Sequence, residues 1–261
     1  MLILELLWWV GCAWFAACVA LPLVTVPVIG WLPGLVVWAV LAPWTALAGM
    51  AGIHRLLPRS EAGTFRLPAD RGSVRWALKG WAPSLYLTVF QPLYFTSRFF
   101  QVLVLRAFGA RLGAGAWLTS RTIIREPHHV RVGARSLVGE YAHLISSYQP
   151  RPGVLIVADV VIGDDSLVGG YSHLAPGARI GSRCVIEHAV AIGARSSIGD
   201  DSRVGAGTAI YSAVRIGRDV MIGKNCMIAS GTVIADGARI PDAAVVGPSS
   251  RLRAELAGGA A

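Results

Sequence analysis

Three of the six histidines in this 261-residue chain stand where they could do chemistry. Gly139-Glu140-Tyr141-Ala142-His143-Leu144 and Gly169-Gly170-Tyr171-Ser172-His173-Leu174 are near copies, thirty residues apart, and His188 follows in Val185-Ile186-Glu187-His188. An imidazole changes charge close to neutral pH, so a positioned histidine takes a proton from a hydroxyl or amine and gives it back later. Such a base contributes about 10² to 10⁴ in rate. His188, His173 and His143 are therefore the candidate catalytic residues, with His188 as base and His173 positioning the acceptor. His143 is expected on another face, as the near copy. Tyr171, Glu187 and Tyr141 are the candidate substrate contacts. The plain alternative is three surface histidines on a repetitive scaffold.

The element that must position them is a repeat of six. From Ile162 to Val246 every sixth residue is aliphatic, and nine of these fifteen are followed by Gly. The residue two before each next stop is small or β-branched, as in Ser166, Ser172, Ala178 and Cys184. Short strands with alternating inward residues, each followed by a turn, fit this spacing. Three strands close a coil of eighteen residues, and coils stack at about 4.8 Å. A helix is excluded, because its face repeats every 3.6 residues. The expected architecture is a β-solenoid in which each coil buries its apolar row against its neighbours.

Counting in eighteens puts His173 one coil before Ala191 and Gly170 one coil before His188, so His173 and His188 should flank one corner. The step is intact through Val132, Val138 and Leu144, giving about six coils from Val132 to Gly247. Leu118, Ile124 and Val130 are also six apart but out of phase. Tyr148 to Gly153 is poor strand material and is expected as a loop thrown out of the coil.

Composition places the remainder. The chain is 54% hydrophobic with a net charge of +9 and a mean hydropathy of +0.56. Residues 1–53 carry one charge, Glu5, while residues 54–135 hold thirteen Lys and Arg against three Asp and Glu. Basicity beside an apolar stretch points to a membrane and away from nucleic acid. Leu2–Val24 and Val28–Ile53 are each long enough to span. The basic flank after the second keeps the chain end cytoplasmic, at an inner membrane. A cleaved signal peptide is disfavoured, since no Lys or Arg precedes the apolar run. Residues 80–108 are aromatic and proline-broken, and read as an interfacial helix, a short third span or a buried cap.

The domains expected are a transmembrane hairpin over 1–53, a basic juxtamembrane and aromatic segment over 54–112, a β-helix over 113–247 and a frayed tail over 248–261. Cys184 and Cys226 occupy small inward positions and read as buried thiols. No spacing suggests a metal site or a disulfide.

The repeat resembles the hexapeptide-repeat acyltransferases, and that resemblance implies a left-handed parallel β-helix. Val185 to Gly193 resembles the catalytic-histidine coil of amino-sugar N-acetyltransferases, with His188 in the base position; Ala189 replaces the acid that follows in that family. Gly170 to Ala178 resembles a second signature of the same enzymes, in the reverse order. Pro127 to Gly133 is similar to the opening of the sugar O-acetyltransferase β-helix. The apolar N-terminus, Leu105 to Gly113 and Gly153 to Gly163 resemble the membrane-embedded C-terminal region of polylysine-synthetase-type peptide synthetases; Tyr148 stands near the place where that region often has a histidine. These likenesses imply acetyl-CoA or another acyl-CoA as donor, no metal, a homotrimer and a small or lipid-linked acceptor. The competing class is a non-enzymatic membrane scaffold. A γ-type carbonic anhydrase is rejected, because 143, 173 and 188 do not match that family's histidine spacing.

Overall fold

The computed structural model describes residue 13 and residues 31–119, 121–248 and 251–252. Its body is a parallel β-solenoid of about eight turns with three flat faces, which fits a left-handed β-helix. The first face stacks eight strands from Arg111–Leu112 to Arg251–Leu252; the other two stack seven each. Neighbours pair in parallel register, as in Leu167↔Val185 and Val168↔Ile186. The aliphatic stops form the core: Val168, Leu174 and Ile186 are fully buried.

The small inward positions close the corners. Ser136 Oγ donates to Gly163 O (2.6 Å) and accepts from Ser166 N (3.0 Å); Ser166 Oγ donates to Gly181 O (2.8 Å) and accepts from Cys184 N (3.0 Å). A buried corner would otherwise strand these backbone groups, at a cost per group comparable to a lost hydrogen bond. The glycines serve close approach: a Cβ on Gly169 would lie 2.5 Å from His188 N and from Glu187 C.

The solenoid is longer than the hexad count implies, by one coil at its start and one strand at its end. Leu112, Leu118 and Ile124 pair with Val132, Val138 and Leu144. They lose phase in the sequence because the turn Pro127–His129 lengthens that corner by two residues. At the far end, strand Arg251–Leu252 extends the first face, inside the stretch expected to fray; the residues after it lie outside those described. The Tyr148–Gly153 loop is the tip of a β-hairpin, Ser147–Arg151 with Val154–Val157. Strand Gly63–Arg66 adds to that hairpin antiparallel.

Four helices cap the first coil: α1 (Trp31–Leu56), α2 (Arg71–Val89), α3 (Gln91–Thr96) and α4 (Arg98–Ala107). Ser97 starts α4 by accepting from Phe100 N. Phe100, Val104 and Leu105 recur at helical spacing and are buried in one core with Leu112, Leu118 and Ile124. Tyr86 donates to Pro43 O (3.0 Å), tying α2 to α1. The aromatic segment thus packs one face onto the first coil as a cap and leaves Phe99 exposed on the other.

The transmembrane hairpin is not supported. Among the described residues no helix is long and apolar enough to cross a membrane. The first expected span, Leu2–Val24, lies outside those residues except for Ala13, and α1, over the second, contains Pro43.

Candidate functional site

The near-copy histidines do not lie on different faces. His143 and His173 pair directly on the third face, with ring centroids 4.6 Å apart. The reason is the hairpin, which inserts two hexads between coils. Thirty residues are therefore one coil of eighteen plus twelve looped out.

The pair sits between two hollows. Below it is a cavity of about 880 Å³ between α2 and the third face, lined by Trp76, Trp81, Arg125, Glu126, His143 and Tyr148 among others. Above it is a shallow groove of about 390 Å³ lined by His173, Ala191, Ala209 and Tyr211, with Ile145 as a wall common to both. The groove exists because the outward row above His173 is alanine at 191 and 209. Burial, and then the neighbouring His173, hold His143 below its ordinary pKa. His143 is therefore neutral at pH 7, the form a general base needs.

Trp76 Nε1, Trp81 Nε1 and Glu126 Oε2, on residues that line the lower cavity, are buried and have no hydrogen-bond partner among the described residues. The other oxygen of Glu126 accepts from Ser147 Oγ at 2.6 Å, which orients the carboxylate. Two indoles, a fixed carboxylate and Arg125 thus line one cavity, an apolar wall with charged groups at its edge. Sequence reasoning missed these residues. Trp76 stands in the basic segment and Trp81 in the aromatic stretch after it, with no period to join them, and Glu126 lies in a corner that loses the repeat phase.

Tyr141 and Tyr171 stack at the adjoining corner, centroids 5.1 Å apart and 16° from parallel. Arg121 donates to the Tyr141 hydroxyl. Tyr171 is 60% exposed, so its outer ring face is open. A Glu187 carboxylate oxygen accepts from Ala206 N at 2.9 Å, a bond that ties successive coils. His188 is exposed one coil above Gly170, and its carbonyl accepts from Gly207 N. It lines neither hollow.

A second histidine group lies behind the cap, where His128 packs between His54 (5.3 Å) and His129 (4.6 Å). Burial first, then the nearby charges, lower His54 to about 4 and His128 to about 2. Among the described residues no three His, Cys, Asp or Glu are grouped to hold a metal ion.

Residues 159–194 and 213–248 match the family model for the bacterial transferase hexapeptide (six repeats). No curated protein matches the chain. Among solved structures, a UDP-N-acetylglucosamine acyltransferase is 18% identical over 51% of this chain and 67% of its own, with a TM-score of 0.37. AntD, an N-acyltransferase from Bacillus cereus in complex with dTDP and 3-hydroxybutyryl-CoA, is 16% identical over 52% of this chain and 80% of its own, with a TM-score of 0.43. A maltose O-acetyltransferase from Clostridium difficile 630 is 16% identical over 43% and 76%, with a TM-score of 0.38. Likeness this distant carries no argument about substrates.

Proposed function

We propose, for this member of the hexapeptide-repeat acyltransferases, transfer of an acyl group from acyl-CoA to a hydroxyl or amine of a sugar-like acceptor. The observation that carries this reading is the His143–His173 pair at the seam between the cavity and the groove. The acceptor occupies the tryptophan-lined cavity. The acyl-CoA arm lies along the alanine floor of the groove. His143 takes the proton of the attacking hydroxyl as its oxygen bonds to the thioester carbonyl carbon. The tetrahedral intermediate then expels the thiolate, which receives that proton. His173 steadies the His143 ring, and Tyr171 offers a face for stacking.

Two further parts of the proposal concern setting. Val40, Leu41 and Trp44 on α1 and Phe99 on α4 are exposed, and with the basic segment after α1 they support a cap that rests on a membrane with the β-helix on the cytoplasmic side. The groove is open along the third face, which supports a homotrimer in which a second copy supplies its outer wall.

The test is transfer from isotopically labelled acetyl-CoA into membrane extracts, with mass analysis of the products. A product heavier by one acetyl group, absent with His143→Ala, is expected. Folded protein that transfers nothing from any short or long acyl-CoA would overturn the reading.

A further inference from the structure

Outside both hollows, three parts of the chain bring together a serine, a histidine and an aspartate. Ser60 is in the loop after α1, His129 ends the turn Pro127–His129, and Asp159 precedes strand Val160–Ile162. Ser60 Oγ lies 3.1 Å from His129 Nε2, and His129 Nδ1 lies 2.7 Å from Asp159 Oδ1. The second oxygen of Asp159 accepts from Arg131 at 2.9 Å, so the carboxylate is held from both sides. His129 is only 4% exposed, and both ring nitrogens are engaged. With Asp159 accepting from Nδ1–H, Nε2 is left to accept from the serine hydroxyl. That is the polarity of a nucleophilic relay.

Ser60 also lines a cavity of about 450 Å³ whose wall is strongly basic: Arg55, Arg59, Lys79, Arg106 and Arg111. Lys79 donates to the carbonyls of His54 and Leu57, and Arg106 to Leu112 O. Arg55, Arg59 and Arg111 are exposed and make no ion pair among the described residues. A loop pinned to a coil for stability alone needs neither an open cavity at the serine nor three unspent guanidiniums around it.

We propose that Ser60, His129 and Asp159 form a second catalytic site, which cleaves an acyl ester or thioester whose alcohol or thiol carries a phosphate. Ser60 Oγ bonds to the acyl carbon while His129 Nε2 takes its proton. The carbon–oxygen or carbon–sulfur bond breaks, and the leaving group departs with that proton. Water then attacks the acyl-serine, passes a proton to His129, and releases the carboxylic acid with Ser60 restored to its hydroxyl form. The arginines hold the phosphate of the leaving part. Phospholipid and acyl-CoA share this chemistry.

The full chain in detergent, treated with a fluorophosphonate and digested, should give one adduct, on the peptide bearing Ser60. Ser60→Ala should abolish it at an unchanged melting temperature. Asp159→Asn should slow labelling by about 10² or more, because the histidine loses its orientation. Release of free fatty acid from a short-chain phosphatidylglycerol, or of free thiol from acetyl-CoA, identifies the source of the substrate. Ser60→Ala should leave acyl transfer that depends on His143 unchanged, which separates this site from the one on the third face. A folded wild type that takes no adduct at Ser60 would overturn the proposal. So would hydrolysis of both substrates that survives Ser60→Ala.

Discussion

The first three coils and the last four are built by the same rule and look different. From Arg179–Ile180 to Val245–Val246 each strand follows the last at six residues, and outward residues in the groove region are as small as Ala191 and Ala209. Between Arg111–Leu112 and His173–Leu174 the rule is broken twice, by the Pro127–His129 turn and by the Ser147–Val157 hairpin, and a helical cap covers one end. Both interruptions leave the inner rows intact: Leu144 still pairs with Leu174. The large cavity and the histidine pair lie at the broken end. A solenoid with nearest-neighbour contacts tolerates such additions because each coil depends only on the coils beside it. Regular coils supply a rigid ruler, and the departures supply walls.

The strongest way to break this contrast is to remove the base at the decorated end. His143→Ala should lower kcat by about 10² or more with the donor's KM little changed. His173→Ala should cost less and act mainly on the acceptor's KM. Since His143 sits below its ordinary pKa, the acid limb of kcat/KM should lie below pH 6.5, and the rate should fall as His143 gains its proton. An acid limb above neutrality would remove His143 from the role.

The plain coils should answer to packing alone. Ile186 is fully buried, so Ile186→Ala should cost about 2–5 kcal/mol of stability. The loss should be read as a lower urea midpoint with kcat of the surviving folded protein near wild type. A selective loss of kcat at unchanged stability would mean the regular coils carry chemistry as well.

A third prediction concerns the histidines behind the cap. Their folded pKa values, about 4 for His54 and about 2 for His128, lie below the ordinary 6.5. The unfolded chain therefore binds the extra protons. This contribution to stability is complete above pH 6.5 and is lost as pH falls through that value towards pH 4. The melting temperature should drop between pH 7 and pH 4.5. His128→Phe, which keeps a ring against His54 and cannot be protonated, should make the drop shallower, and parallel curves would show that the pocket is not strained by acid.

How much of this could be read from the residues follows from the same contrast. The aliphatic stops from Ile162 onward identify the solenoid and its core, because a period of six aliphatics has one economical solution. The hairpin's backbone was foreseen as a loop, yet its consequence was not. An insertion of twelve leaves a count of sixes undisturbed, so His143 could not be placed over His173 by phase. The two-residue insertion at Pro127–His129 had the opposite effect, hiding a true coil as a false phase. Trp76, Trp81 and Glu126 were illegible because their meeting is tertiary: α2 lies across a face that its own sequence does not encode.

The smallest effect expected is at the residue the sequence favoured. His188 stands in a regular coil, exposed at a corner, outside both hollows. Its backbone does the local work, since Gly207 N donates to its carbonyl and Gly169 admits its amide at close range. Neither needs the imidazole. His188→Ala should therefore change kcat by less than about threefold, against the 10² to 10⁴ that a base contributes, and leave the melting temperature within scatter. Glu187→Ala in the same coil should act instead on stability, because its carboxylate accepts from Ala206 N. A hundredfold loss in His188→Ala with His143→Ala near wild type would move the active cleft to the corner above Tyr171. Chemistry would then reside in the regular coils, and the helical cap would be a support with no catalytic part.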